Sequence, residues 1–250
     1  MRTPLALAAV LLVAAPLAAS AADPPPLRTL VFDVAYSAHS THEKRTSGFN
    51  GAYGNGVTSG GAAIAGPATA AVGLDGTDTG RMTVDVIAAA KDGGLVVDAA
   101  YAGKLGSQPK VRVVIYPDGR LSADPTKTLD PTVVQVLPLF SRGFIANRDV
   151  SPGSSWASPA PPPLKGSTTY RVTALDGQYA TLALEGTRTM SGVNGFEETD
   201  RGTTKYATDL IVPVSYDVNS HIRREPSIDE TVTTDAHIVV TLISDSFAKK

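Results

Sequence analysis

The sequence contains no cysteine, few aromatic residues and no long apolar run after its N-terminal segment. Without cysteine the chain cannot form disulfides, thiolate metal sites or the lipid anchor of bacterial lipoproteins. Aromatic residues make up only 6% of the chain, which disfavours a stacking platform for carbohydrates. No later segment approaches the ~20 apolar residues that a spanning helix needs. The sequence therefore predicts a protein that does not span a membrane.

Charge of either sign is also low. The 250 residues include 22 basic and 24 acidic side chains, so no basic surface for nucleic acid or anionic lipid is expected. The chain also lacks a glycine-rich loop between a strand and a helix, which nucleotide cofactors require. We predict no nucleic-acid partner and no cofactor.

The N-terminal segment has the pattern of a secretory signal peptide. Arg2 precedes an apolar run over residues 5–17, and the small residues Ala19, Ser20 and Ala21 form a cleavage site. We expect cleavage near Ala21 and a periplasmic or secreted protein. The remaining residues, 22–250, are numerous enough for one β-rich domain with a real core.

Alternating apolar and polar residues predict antiparallel strands. The first strand is expected over residues 27–38, with Leu30 and Phe32 on its buried face. Three later pairs of strand-like segments are joined by turns with an Asp-Gly step, which suits tight hairpins. These pairs are 81–89 with 95–102, 111–115 with 120–123, and 168–174 with 179–187. Consecutive hairpins favour an antiparallel meander.

Two regions break this pattern. Residues 39–80 are rich in glycine, alanine, serine and threonine, which predicts a mobile loop or a weak edge region. Residues 192–202 are polar and are predicted to form turns. Three long strands, 203–216, 220–231 and 236–247, are expected to complete the sheet.

A single segment, within residues 129–156, predicts a helix. Asp130 and Pro131 form a helix start, because aspartate caps free N–H groups and proline is tolerated at the first position. Apolar residues follow at helical spacing, at Val133, Val136, Leu137, Phe140 and Phe144. Pro138 should kink this helix or divide it in two. Residues 150–156 then form a turn that leads to Trp156.

The predicted fold is mainly β, a curved antiparallel sheet shaped like a half-barrel with one short kinked helical segment packed on it. The order of hairpins with Asp-Gly turns, LPLF helix, PGSSW turn and the strand pair YRVTALDGQYATLALEG resembles uncharacterised exported bacterial proteins. More distantly, it resembles the half-barrel group of periplasmic lipoprotein carriers and lipid-binding lipoproteins. This resemblance covers roughly residues 81–247 and implies acyl chains held between sheet and helices.

Three functions are compatible with these patterns. The first is a non-enzymatic exported binding or carrier protein for an apolar small molecule or lipid. Its predicted cavity residues are Val133, Leu137, Phe140, Phe144 and Trp156, although ordinary core is the better interpretation of any one of them taken singly. The second is a structural component of the cell envelope that binds another envelope protein. The third is a hydrolase with a dispersed site. A large apolar cavity would favour the first, a flat patch the second, and a polar cleft with several histidines or acids the third.

Candidates for metal binding and catalysis are few. His39 and His42 are three residues apart beside Glu43, but a metal site needs three or four matched ligands, so two solvated histidines are the better interpretation. We therefore predict no metal site. The acidic residues of the C-terminal part, including Glu198 and Asp200, are interpreted as solvated surface charge. No serine lies in a nucleophile-elbow motif.

Overall fold

The computed structural model describes most of the predicted domain. The described residues are 25–44, 75–104, 107–124, 126, 127, 129, 131–141, 148, 150–160, 164–191, 195–210, 212–227 and 229–247. The predicted signal peptide, residues 45–74 of the predicted loop and the candidate Phe144 lie outside them.

Eleven antiparallel strands form one open sheet. They are β1 (Arg28–Lys44), β2 (Gly76–Ala89), β3 (Leu95–Gly103), β4 (Ser107–Ile115), β5 (Leu121–Ala123), β6 (Ser155–Pro159), β7 (Lys165–Asp176), β8 (Tyr179–Met190), β9 (Phe196–Ala207), β10 (Val212–Ser227) and β11 (Glu230–Asp245). Their order in the sheet is β5-β4-β3-β2-β1-β11-β10-β9-β8-β7-β6. The sheet thus consists of two meanders, β1–β5 and β6–β11, which meet where the first strand pairs with the last.

The helical segment, residues 131–140, connects the outer strands of the two meanders. An α-helix, α1 (Pro131–Val136), begins at the predicted proline and is followed by a 3₁₀ helix (Leu137–Phe140). Pro138 cannot donate to the carbonyl of Val134, so the α-helical ladder cannot continue through it. The predicted division of the helix at Pro138 is confirmed.

The sheet curves around this helical segment. The 3₁₀ helix contacts both β4 and β10, which are five steps apart in the sheet. Five steps of about 4.8 Å would separate the two strands by about 24 Å in a flat sheet. Four residues of 3₁₀ helix rise only about 8 Å. The sheet must therefore bend, and the concave face is the side that carries the helix.

The core lies between the concave face and the helical segment. On β1 the residues Leu30, Phe32 and Val34 are buried, whereas the alternate residues Asp33 and Ala35 face outward. The Phe32 and Phe140 rings meet edge to face, with centroids 5.9 Å apart. The predicted fold class, a mainly β antiparallel sheet carrying one short divided helix, is confirmed.

The three Asp-Gly hairpins occur where they were predicted, as β2–β3, β4–β5 and β7–β8. The turn glycines Gly119 and Gly177 have positive φ angles of 85° and 56°, which explains the need for glycine there.

Several predicted boundaries are wrong. Both ends of the predicted loop are strand, since β1 continues to Lys44 and β2 begins at Gly76. Cross-strand hydrogen bonds of β1 with β11 hold its polar end, where the sequence offers no apolar alternation. Similarly, β9 begins at Phe196, inside the segment predicted to be turns. The predicted strands 203–216 and 220–231 run across the actual turns after β9 and β10.

Candidate functional site

The predicted helical cavity residues pack into the core. Val133 and Leu137 are fully buried and Phe140 is 3% exposed, all in contact with other core side chains. Tyr206 of β9 donates a hydrogen bond to the Leu139 carbonyl oxygen over 3.1 Å, which ties the 3₁₀ helix to the sheet. These three candidates therefore serve the packing between helix and sheet.

Trp156 lies elsewhere on the concave face. It is 8% exposed and stacks on Tyr170 of the neighbouring strand, with ring centroids 5.9 Å apart. Tyr170 is partly buried beside Arg188 and Asp200, and loss of solvent around its hydroxyl is the main reason why its pKa rises to about 12. Of the described candidates, Trp156 is thus the one that leads to a polar region.

The strand register arranges the concave face in transverse rows. One row of small side chains crosses seven strands, from β6 through β11 to β1. Its members, in spatial order, are Ser158, Thr168, Gly186, Asp200, Ser220, Ala236 and Ala38. Six steps of about 4.8 Å make this small-residue row about 29 Å long.

The rows on either side of the small-residue row differ in polarity. On the side of the helical segment lie Tyr170, Leu184, Val218, Ile238 and Tyr36, most of them apolar. On the other side lie Arg188, Glu198, Ile222, Thr234 and Ser40. A molecule along the small-residue row would contact apolar groups on one side and polar groups on the other.

An ionic cluster of Arg188, Glu198, Asp200 and Ser220 lies on this polar side. Arg188 donates from one terminal nitrogen to Glu198 Oε1 over 2.9 Å and to Asp200 Oδ2 over 2.5 Å. Ser220 donates to Asp200 Oδ1 over 2.6 Å. The Glu198 side chain is 0% exposed and that of Arg188 is 14% exposed. One guanidinium therefore serves two buried carboxyl groups.

Burial and charge shift the protonation of this cluster. The pKa of Glu198 rises to about 7, because burial penalises its charge and Asp200 repels it, while Arg188 and Arg224 act in the opposite direction. For Arg188, burial opposes the charged form, but the two carboxylates outweigh it and raise the pKa. Tyr216, buried beside the cluster, also has a raised pKa, mainly through burial. The neutral form of Glu198 is therefore favoured relative to that of an exposed glutamate.

Two polar atoms of the cluster have no hydrogen-bond partner among the described residues. They are Glu198 Oε2 and Arg188 Nε, and both are buried. Such atoms are costly in an interior and are found where a ligand, an ion or ordered water completes the bonding. The cluster thus has binding capacity that the described chain does not use.

Sequence analysis missed this cluster. Glu198 and Asp200 were interpreted as solvated charges, but they are 0% and 4% exposed. The alternation of side chains along the strand was the signal that could have revealed it. Phe196, Glu198 and Asp200 share one face, and Glu197 and Thr199 share the other. An apolar residue such as Phe196 indicates the inward face, and the alternation places both acids on that same face. The predicted turn over this segment concealed that alternation.

Three of the four histidines lie on the outer face of the sheet. His39, His221 and His237 line a groove of about 570 Å³ across β1, β11 and β10. His221 Nδ1 lies 2.7 Å from Asp235 Oδ1, and His237 Nε2 lies 2.8 Å from Asp217 Oδ1. His42, the other metal candidate, lies 3.3 Å from Glu230 instead. The structure therefore separates His42 from His39, and within the described part of the chain no three ligands are placed to hold a metal ion.

A second groove of about 580 Å³ continues on the outer face beside the first. It is lined by residues of β1, β2, β3 and β11, among them Ala35, Thr79, Arg81 and Val239. Its surface combines small side chains with an Arg81–Asp33 ion pair in which both groups are more than half exposed. Such exposed pairs contribute little to stability.

No known family model, curated protein or solved structure matches this chain. Within the described residues, no helix is long and apolar enough to cross a membrane.

Proposed function

We propose that the protein is an exported, non-enzymatic binding or carrier protein for an amphiphilic ligand, which lies along the small-residue row of the concave face. The observation that carries this proposal is the ionic cluster beside that row. Its carboxyl groups share one guanidinium, and two of its buried polar atoms have no partner among the described residues. Replacing such clusters by apolar residues is often neutral or stabilising, so stability alone does not account for it.

The two neighbouring rows support an amphiphilic ligand. Leu184, Val218 and Ile238 border the row on one side, where all three belong to the buried core. Arg188 and Glu198 offer hydrogen bonds on the other. A purely apolar ligand would leave the leftover donor and acceptor unpaired, which costs roughly 1–3 kcal/mol for each group.

Native mass spectrometry of the full protein, followed by organic extraction, tests this proposal. The variant Ala38→Leu adds volume to the small-residue row, and Ala35→Leu adds the same volume on the outer face of the same strand. We expect a co-purifying amphiphile near one per chain in the wild type and in Ala35→Leu, and its loss in Ala38→Leu. A folded wild type that carries no ligand and takes up no alkyl probe would refute the proposal.

A hydrolase is a second candidate, favoured by the outer groove with three histidines. His237 is paired with Asp217 as a catalytic base would be, although neither His237 nor His221 contacts a serine hydroxyl among the described residues. Hydrolysis of p-nitrophenyl esters tests this candidate. Activity that is lost in His237→Ala but kept in His42→Ala, whose histidine lies outside the groove, would favour the hydrolase over the carrier.

A further inference from the structure

The two ends of the sheet expose different kinds of side chain. Among the described residues, the large apolar or aromatic side chains that are at least 40% exposed are Leu27, Leu175, Tyr179, Ile243 and Phe247. All of them lie at the end of the sheet where β1 begins and β11 ends. These five residues form an apolar rim.

Three members of the apolar rim lie where the start of β1 meets the end of β11. Leu27 directly precedes β1, and Phe247 follows the end of β11. Ile243 lies in β11 opposite Val31 and Phe32 of β1. The pairing of the first and last strands therefore brings these three side chains to one part of the sheet.

The other two members, Leu175 and Tyr179, flank the β7–β8 turn at the same end. Tyr179 pairs with Ala207 at the end of β9, and Ala207 pairs with Val212 at the start of β10. Antiparallel pairing of β10 with β11 continues this level to the first group. Five steps from β1 to β7, of about 4.8 Å each, spread the apolar rim over about 24 Å along the curved sheet.

The opposite end of the sheet is charged. Exposed acidic residues lie there near the ends of β1 and β10 and in the β10–β11 turn, at Glu43, Glu225 and Asp229. None of the strongly exposed apolar side chains of the described residues lies at that end. Single exposed apolar residues scattered over a surface are ordinary, whereas a set collected at one end indicates a contact surface.

The size of the apolar rim disfavours a stable protein partner. A large apolar side chain has about 200 Å² of surface, so five that are about half exposed offer about 500 Å². A stable protein interface needs about 800 Å² on each partner. Binding to a bilayer has no such threshold, because it scales with the apolar area that enters the interface.

Two aromatic rings of the apolar rim have a cation beside them. Lys205 Nζ lies 4.7 Å from the centroid of the Tyr179 ring, and Arg28 Cζ lies 5.2 Å from that of Phe247. Arg28 is also paired with Asp245. At a membrane surface aromatic rings lie at the level of the head groups, where long cationic side chains reach phosphate oxygens. The composition of the rim thus fits a phospholipid surface.

We propose that the apolar rim docks the protein on the surface of a phospholipid bilayer, with its side chains among the head groups and the charged end of the sheet directed away. Only residues 22–26 separate the predicted signal peptide from Leu27, so the precursor meets the membrane with this rim first. Asp176 and Asp209 lie at the same end, so insertion of apolar groups rather than net charge drives the contact. This inference goes beyond the proposed carrier function and does not depend on it.

Flotation of the full protein with vesicles of phosphatidylcholine tests the docking. We expect the protein to float with the vesicles equally in about 0.1 M and about 1 M salt, since apolar insertion is not screened. Leu27→Ser and Phe247→Ser change exposed residues outside the strands, and each should weaken binding roughly fivefold. Glu43→Ser, at the charged end, is the matched control and should bind like the wild type.

Single-cysteine reporters test the orientation. Because the chain has no cysteine, one introduced cysteine accepts a fluorescent label at one site only. The label on Ile243→Cys should brighten on vesicles and be quenched by spin-labelled lipid. The label on Asp229→Cys, at the charged end, should do neither. Circular dichroism checks that each variant is folded.

Absence of flotation by the folded wild type would overturn the proposal, and so would an equal response of the two labels. Binding that disappears in about 1 M salt would show charge attraction and would overturn insertion of the apolar rim. A dimer that is lost in Phe247→Ser, without vesicle binding, would also overturn it and assign the rim to a second copy of the chain. The carrier function is judged separately, by the ligand content of the protein.

Discussion

The sheet carries two ionic clusters that differ in how many cations serve their carboxylates. On the outer face, Asp85 pairs with Lys110, and Asp98 forms two hydrogen bonds with Arg112, of 2.8 and 3.0 Å. Each of these carboxylates has its own cation, and both cations are about half exposed. On the concave face, Glu198 and Asp200 share Arg188, whose side chain is 14% exposed.

The pKa shifts of Asp98 and Glu198 have opposite signs. The hydrogen bond from Arg112 lowers the pKa of Asp98 despite partial burial, whereas burial raises that of Glu198 to about 7. The half-exposed arginine stabilises the charged state of Asp98, whereas burial of Glu198 outweighs the stabilisation that Arg188 provides. Partner number and burial, rather than residue type, thus separate a structural ion pair from a candidate binding site.

The largest loss of stability is expected when a carboxylate is introduced into the apolar core without a cation. Phe140→Asp would place such a group in the core against Phe32, with a cost above about 5 kcal/mol from lost packing and burial of charge. This approaches the whole stability of a typical domain, so we expect no folded protein by circular dichroism. The control Phe140→Leu should fold. A stable, soluble Phe140→Asp would show that the helical segment is not core.

Removing the shared guanidinium should have the next largest effect. Arg188→Met leaves Glu198 and Asp200 buried without the cation that donates hydrogen bonds to both, and we expect a loss of roughly 3–5 kcal/mol in the free energy of unfolding at neutral pH. Arg112→Met on the outer face should cost at most about 1 kcal/mol, because water can replace its half-exposed side chain. Urea denaturation measures both. Equal losses would contradict the distinction between the clusters.

The pH dependence of stability should show the raised pKa of Glu198. The folded protein holds the proton up to about pH 7, whereas the unfolded chain releases it near the ordinary value of 4.5. Stability is therefore present at low pH and falls by about 3 kcal/mol as the pH rises from 4.5 to 7. In Glu198→Gln this decline should disappear. Urea denaturation at several pH values measures this decline. An identical decline in wild type and variant would show that Glu198 is not the group responsible for it.

The smallest effect is expected at Asp98. Because its pKa is lowered, its contribution to stability is present above its ordinary value of 3.8 and is lost as the pH falls below it. Asp98→Asn should cost about 1 kcal/mol at neutral pH and nothing in strong acid. Thermal denaturation across this range checks the prediction. A cost that persists in acid would point to packing instead of charge.

Local sequence signals were sufficient for much of the fold. The Asp-Gly turns located three hairpins, and the spacing around Pro138 predicted both parts of the helical segment. These features depend on residues close together in the chain. The predicted bounds of the strands after residue 200 differ from the actual ones, because the β9–β10 and β10–β11 turns contain no glycine that would have indicated them.

The candidate site depends on contacts between distant residues. The alternation of side chains along β9 would have shown that Glu198 faces inward. Only the pairing register of three strands places Arg188 directly opposite Glu198, and Ser220 opposite Asp200. The small-residue row adds β11 and β1, whose pairing joins residues about two hundred positions apart. No local pattern in a single sequence contains this information.

The pairing of β1 with β11 has a consequence for the order of folding. Arg28 and Asp245 form an ion pair at one end of these strands, so the two ends of the described chain are joined in the middle of the sheet. Each meander can form from neighbouring hairpins, but the two can join only after the last strand has been synthesised. The contact with the greatest sequence separation is therefore also the one that unites the sheet, which makes slow folding the expected behaviour.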